Sequence, residues 1–221
     1  MQMNVQTDPF LTMLDDYDPV DKHGFVGGCS RLEMTVDADR LVAEFESIPD
    51  EAWGSRAGRV NLHQKANAIF LRGYARAEGF KPVEDRSILA TLPYMRELIH
   101  ETIGTKPLRC LLARLSPGDW IRQHVDFGPY FEKSWRIHVP VVTNDSVDMY
   151  CNDHCYHMKV GEVWSINNFA RHAVKNGDPD GYRTHIICDF LPEPDITEKI
   201  AAADRSLGTF LPDGIPPNPP A

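Results

Sequence analysis

His124-Val125-Asp126 sets an imidazole and a carboxylate two residues apart. On a strand, both side chains then leave the same face of the sheet. His172 stands 46 residues beyond Asp126, far enough for the chain to return and offer a third ligand. Two imidazoles and one carboxylate on one face suit Fe(II) when a co-substrate and O2 must also reach the ion. Catalytic zinc takes the same residue types, so the trio points to a metal before it points to iron. A His-x-Asp pair by itself is commoner in surface or hydrogen-bonding roles.

Arginines in apolar surroundings add to the pattern. In Tyr182-Arg-Thr-His-Ile-Ile-Cys-Asp-Phe190, Arg183, His185 and Ile187 alternate against Thr184, Ile186 and Cys188. An arginine in such a strand is costly to bury unless it meets an anion, and its planar fork suits a carboxylate. Arg136 and His138 repeat the arrangement opposite Ile137, Val139 and Val141. Together they describe a small pocket for a dicarboxylate, with one carboxylate at an arginine and the other near the metal. The structural alternative is salt bridging to buried acids such as Asp189 or Glu162. Arg122, on the same face as His124 if that strand is regular, and Arg114 are candidates for a substrate carboxylate.

Cys151-Asn-Asp-His-Cys-Tyr-His157 also carries zinc-ligand residue types. Its three-residue spacing between cysteines lies at the edge of structural zinc patterns, and a hairpin is expected there, so it reads as a turn with incidental Cys and His. Asp153 lacks a histidine at the two-residue offset, which favours Asp126 as the carboxylate ligand. Asn167, Asn168 and Asn176 are expected to orient the His172 loop through side-chain to backbone bonds. Trp120 and Trp164 read as core or pocket-wall aromatics, and His23, His63 and His100 as surface residues.

These groups must be positioned by mostly extended chain. From Leu108 the pattern is a succession of short strands: 108–115, 120–126, 135–143, 147–151, 156–160, 162–166, 173–175 and 182–190. No segment between them is long enough for a crossover helix, so a double-sheet barrel or jelly roll fits better than a βαβ sheet. Helical spacing marks 35–48, ending before Pro49, and 94–103, stopped by Gly104, with a short apolar piece at 68–71. The expected organisation is an N-terminal helical and mixed region (1–106) packing on a catalytic barrel (107–190). A short helix over 197–203 and a Pro-rich tail complete the last part (191–221).

The chain has 221 residues, 42% hydrophobic, with 23 Lys and Arg against 32 Asp and Glu, a net charge of −9. A disordered, collagenous or disulfide-scaffold protein is excluded at this size and composition. The negative charge argues against a nucleic-acid or anionic-membrane partner. The first twenty residues hold four Asp and no Lys or Arg, unlike an export signal, and no apolar run approaches the ~20 residues that span a bilayer. Five cysteines, an odd number, read as reduced thiols. A soluble cytoplasmic protein acting on a small-molecule or peptide substrate is the expectation.

The ordered set Leu115-Ser-Pro-Gly-Asp-Trp-Ile-Arg-Gln-His-Val-Asp126, Arg136-Ile-His-Val-Pro140, Gly161-Glu-Val-Trp164, Asn167-Asn168, His172-Ala-Val-Lys-Asn176 and Arg183-Thr-His-Ile-Ile-Cys-Asp189 resembles the aspartyl/asparaginyl β-hydroxylase family. The resemblance covers roughly residues 107–190. It implies an Fe(II)- and 2-oxoglutarate-dependent oxygenase on a double-stranded β-helix, a jelly roll of cupin type. It implies that His124, Asp126 and His172 bind iron and that Arg183 holds the distal carboxylate of 2-oxoglutarate. Arg136 and His138 would then line the co-substrate site. A full triad with Asp126 is similar to bacterial members that hydroxylate free amino acids, including proline cis-4-hydroxylases. The implied reaction is hydroxylation of an unactivated C–H in an amino acid, an amino-acid-like molecule or a peptide Asp, Asn or Pro residue, with O2 consumed and succinate and CO2 released. A cupin-type isomerase or lyase and a noncatalytic binding barrel are the competing readings.

Overall fold

The computed structural model describes residues 7–55 and 66–218; His63 lies outside them. Helices α1 (Pro9–Met13) and α2 (Lys22–Val26) lead into β1 (Cys29–Thr35) and α3 (Ala38–Glu46). Strands β2 (Gly54–Ser55) and β3 (Ala66–Arg72) and helix α4 (Pro93–Glu97) follow, and α4 continues as a π-helical stretch over Leu98–Thr102. The main run is β4 (Pro107–Leu115), β5 (Trp120–His124), α5 (Pro129–Glu132), β6 (Trp135–Val142), β7 (Val147–Cys151), β8 (His154–Tyr156), β9 (Glu162–Ile166), β10 (His172–Asn176) and β11 (Arg183–Phe190). Helix α6 (Pro194–Ala201) and β12 (Thr209–Phe210) come last.

Two antiparallel sheets face each other, ordered β1-β9-β6-β11-β4-β3-β2 and β12-β8-β7-β10-β5. From β4 to β11 the chain passes back and forth between them, which is the winding of a double-stranded β-helix. Helices sit against one face of the larger sheet. Ile137, Val139 and Val141 of β6 and Ile186, Cys188 and Phe190 of β11 pack there with Leu41 of α3, Met95 of α4 and Ile196 and Ile200 of α6. Each such fully buried aliphatic or aromatic side chain stabilises the fold by ~1.5–3 kcal/mol. Because this core lies behind the sheet, the opposite face is left to carry Arg136, His138 and Arg183 toward the smaller sheet. Among the described residues no helix is long and apolar enough to cross a membrane.

Several elements differ from the sequence expectation for local reasons. The helix expected from residue 35 begins at Ala38, since Thr35 still belongs to β1 and Asp37 caps the helix, its Oδ1 accepting from Arg40 N–H at 3.1 Å. The strand expected at 156–160 is β8, two residues earlier, because the hairpin turns tightly at Asn152-Asp153, with Asn152 at φ 55°. The last helix starts at Pro194 rather than 197, since proline suits the first helical turn. Strand β1, which no periodicity marked, forms the edge of the larger sheet beside β9.

Candidate active site

His124 ends β5 and His172 begins β10, and the antiparallel register sets them directly opposite, with ring centroids 4.2 Å apart. Asp126 arrives differently from the expectation of a regular strand, because β5 ends at His124. Its backbone N–H donates to Asn168 O at 2.9 Å, which ties the loop after β5 to the chain entering β10. One carboxylate oxygen, Oδ1, then lies 3.9 Å from His124 Nε2. One potential ligand atom from each of the three residues falls within 4.8 Å of the others.

The protonation states suit a cation. His124 Nδ1 lies 2.7 Å from Arg122 O, and His172 Nδ1 lies 2.9 Å from Ala170 O. A carbonyl can only accept, so each Nδ1 carries the proton and each Nε2 is the basic nitrogen. Burial, aided by His124, pushes the His172 pKa down to about 4, leaving its ring neutral at pH 7. Burial opposes the charge on Asp126, but Arg136, His172, His124 and Asn168 outweigh it and hold its pKa well below the usual carboxylate range. Its second oxygen, Oδ2, accepts from Arg136 Nη1 at 2.6 Å and Asn168 Nδ2 at 3.3 Å. Asn168 Oδ1 in turn accepts from the buried Lys22 Nζ at 2.6 Å. Two imidazoles with their Nδ1 atoms turned to carbonyls and one ionised carboxylate, each oriented by its neighbours, form a facial triad that fits Fe(II).

In front of the triad lies a cavity of about 680 Å³ between the sheets. The smaller sheet contributes Ile121, Met149 and Val174 beside the histidines, and the larger one Leu111, His138, Arg183 and Ile187. Arg183 is 1% exposed, and its Nη2 donates to His185 Nδ1 at 2.7 Å. Burial and the adjacent Arg183 push the His185 pKa well down, so its ring is a neutral acceptor. Arg136 also lines the cavity, and it meets the buried acid weighed as its structural alternative: Nε reaches Asp189 Oδ1 at 2.8 Å and Nη2 reaches Oδ2 at 3.0 Å. The pair is cross-strand neighbours on β6 and β11. Glu162 pairs with Arg31 instead, at 3.0 Å.

The two arginines read as substrate contacts do not line this cavity. Arg114 alternates with the inward Ala113 and Leu115, so it points away, between Trp53 at 4.1 Å and Tyr182 at 4.5 Å. Arg122 is displaced by an irregularity in β5. Between its pairings to Ile121 and His124, β10 advances only from Val174 to His172, so β5 carries an extra residue. Ile121 and His124 therefore both face the cavity, and Arg122 contributes its carbonyl to His124. Residues the sequence reading missed are Arg76 and Arg109, which do line the cavity, and the support formed by Lys22 and Asp189. Arg109 had a signal, since it shares a strand face with Leu111; Lys22, 146 residues from Asn168, had none.

Asn167 and Asn176 act as the expected turn fasteners, whereas the Asn168 side chain bonds to side chains, those of Asp126 and Lys22, because it lies buried between them. Asn167 Oδ1 accepts from Phe169 and Ala170 N–H at 3.2 and 3.1 Å, which shapes the lead-in to His172. Asn176 Nδ2 donates to the carbonyls of Ser116 and Gly181. Trp164 is a core residue, whereas Trp120 stacks on Tyr150 on the outer face of the smaller sheet. His23 is exposed, and His100 is half-buried, 3.0 Å from Asp85. In the Cys151–His157 hairpin, Cys151 Sγ is directed at Gly28 O and His154 bonds to Asp153. Cys155 and His157 instead gather around Asp148, with potential ligand atoms again within 4.8 Å of one another.

A profile of the family described as Aspartyl/Asparaginyl beta-hydroxylase matches residues 37–192. No curated protein matches the sequence. In three dimensions the chain is similar to an oxidoreductase of the 2OG-Fe(II) oxygenase family from Burkholderia pseudomallei, at 13% identity and a TM-score of 0.53, over 89% of this chain and 96% of that one. A Pseudomonas putida prolyl-4-hydroxylase overlaps more loosely, at 16% identity and a TM-score of 0.48, over 77% of this chain and 95% of that one. Such low identities speak to the fold alone. The profile match is what carries descent, and since it takes in all three metal ligands and every strand from β4 to β11, the chain belongs to the aspartyl/asparaginyl β-hydroxylase family, within the 2-oxoglutarate- and Fe(II)-dependent oxygenase superfamily.

Proposed function

We propose that the enzyme hydroxylates an unactivated C–H bond of an amino acid, an amino-acid-like small molecule or a peptide Asp, Asn or Pro residue. The balanced reaction is R–H + 2-oxoglutarate + O2 → R–OH + succinate + CO2, one oxygen atom entering the product and the other succinate. The observation that carries this reading is the pairing of His124, Asp126 and His172 on one wall of the cavity with Arg183 on the other.

In this reading the triad holds Fe(II), and Arg183 holds the distal carboxylate of 2-oxoglutarate. Iron with 2-oxoglutarate supplies the oxidant when bound; the protein supplies placement. His138 lines the co-substrate site. Arg136 also lines it, and its bond to Asp126 Oδ2 keeps Oδ1 turned toward the ion position. Leu111, Met149, Val174 and Ile187 keep the space around the reacting carbon apolar, which limits water.

The test is product mass after incubating iron-loaded enzyme with 2-oxoglutarate, O2 and a panel of free and N-blocked amino acids and peptides. A gain of one oxygen atom, matched by succinate, is expected. Arg183→Leu should raise the KM for 2-oxoglutarate at least about tenfold, the worth of a charge-assisted bond. Turnover without O2 would favour an isomerase or lyase instead, and undiminished ligand affinity in His172→Ala a noncatalytic binding barrel.

A further inference from the structure

Four guanidiniums line the cavity, from Arg76, Arg109, Arg136 and Arg183, in a chain whose net charge is −9. Among the described lining residues Asp126 is the one carboxylate, and Asp189 pairs with Arg136 from outside the lining. A divalent ion and a dicarboxylate co-substrate cancel each other. Two positive charges in excess therefore remain for whatever else enters.

Among the described residues that line the cavity no carboxylate is left to receive an ammonium. Asp126 Oδ2 is taken by Arg136 and Asn168, and its Oδ1 faces the metal position. Asp189 accepts from Arg136, from Arg109 Nη2 at 3.3 Å and from Tyr130 OH at 2.9 Å. Residues 1–6, 56–65 and 219–221 contain no Asp or Glu. Of the lining aromatic rings, Phe131 already lies beneath Arg136 at 5.1 Å and Arg109 at 5.9 Å. An ammonium in this space would meet guanidiniums and unpaired desolvation.

An anion is well served. Arg109 makes a single long bond to Asp189 and is 21% exposed, so donors of its fork remain for a ligand. The Arg76 side chain is exposed and forms no hydrogen bond or ion pair with another described side chain, yet it lines the cavity. Phe70 and Leu111 line the same space.

Taking the oxygenase reading as its basis, we propose that the substrate is a carboxylic acid without a free ammonium, an N-acylated amino acid with an apolar side chain, whose carboxylate is held by Arg76 and Arg109. The amide nitrogen of such a molecule is neutral, so it asks for no acidic partner. A zwitterionic amino acid, with net charge zero, answers neither of the two excess positive charges, whereas the N-acyl acid answers one.

The probes are matched triples for Leu, Val, Phe and Pro: the free amino acid, its N-acetyl derivative and the N-acetyl amide. Two quantities are read on iron-loaded enzyme: probe-dependent succinate release under O2, and probe affinity by calorimetry under nitrogen with 2-oxoglutarate present. Within the preferred side chain the N-acetyl acid should exceed both other forms at least about tenfold in kcat/KM and in affinity. Arg76→Gln should raise its KM about tenfold with a smaller change in kcat, and Arg76→Glu should invert the order of acid and amide. Arg109→Lys, which keeps the charge beside Asp189 but loses the fork, should also raise KM. Free amino acids equal to or better than their N-acetyl forms, amides equal to acids, no response to any triple, or an unchanged KM in Arg76→Gln would each overturn the proposal. Calorimetry of wild-type enzyme with 2-oxoglutarate alone separates the two levels: no binding there ends the oxygenase reading, whereas binding with the triples ranked otherwise ends only this inference.

Discussion

The smaller sheet carries two groups of three ligand-type residues, one on each face, and both bring their atoms within 4.8 Å. On the inner face, His124, Asp126 and His172 are enclosed and prepared for a cation: both Nδ1 atoms are committed to carbonyls, and the carboxylate is held ionised by Arg136. On the outer face, Asp148 accepts from the Cys155 thiol and from Tyr150 OH, and Lys175 stands 3.9 Å away. Burial, then Asp148, pushes the Cys155 thiol up to about 12, which keeps it protonated. The His157 side chain is 53% exposed. Proximity of residue types is the same in the two groups. The difference lies in the surrounding hydrogen bonds, which on one face deliver lone pairs and on the other consume them.

The largest expected effect tests that contrast directly. His172→Ala should abolish stoichiometric iron binding and succinate release, a loss beyond the ~100-fold that outer-layer changes reach. Metal analysis after iron loading and desalting reads this.

Acid should act next, and with a definite sign. In the metal-free protein the His172 pKa is lowered to about 4, so between the ordinary value of 6.5 and about 4 the unfolded chain binds more protons than the folded one. The stabilising contribution is complete above pH 6.5 and is lost as pH falls through this window, on the order of 3 kcal/mol in all. Urea titrations from pH 7.5 to 4 should show the decline in wild type and a smaller one in His172→Ala. Equal slopes would mean that the inner histidine is not held neutral.

A subtler perturbation removes only the support. Asn168→Ala leaves every ligand in place but takes away one bond to Asp126 and the acceptor of Lys22, so iron affinity should fall about 10–100-fold. Competition with a chelator measures it, and an unchanged affinity would show that Arg136 alone positions the carboxylate. The smallest effect belongs to the outer face: Cys155→Ser and His157→Ala should leave one iron per chain. A drop in iron content in either would erase the distinction between the two groups.

The barrel and its ligands were legible because they rest on short-range rules. Strand alternation in 135–142 and 183–190 separated the apolar face from Arg136, His138 and Arg183, and the structure keeps that division. Arg122 was misplaced because one extra residue in β5 reverses the facing of a side chain, and no residue type at 120–124 announces an irregularity. Strand β1 escaped because its burial depends on β9, more than a hundred residues away.

By itself the sequence determined the kind of chemistry, since ligand types, their spacing and the buried arginines are properties of residues and of local periodicity. Only the tertiary structure decided which cations face the cavity, that Arg136 is shared between Asp126 and Asp189, and that Lys22 reaches the carboxylate through Asn168. Those outcomes depend on which side chains from distant segments compete for the same partner, and such competition is settled only when the sheets close on each other.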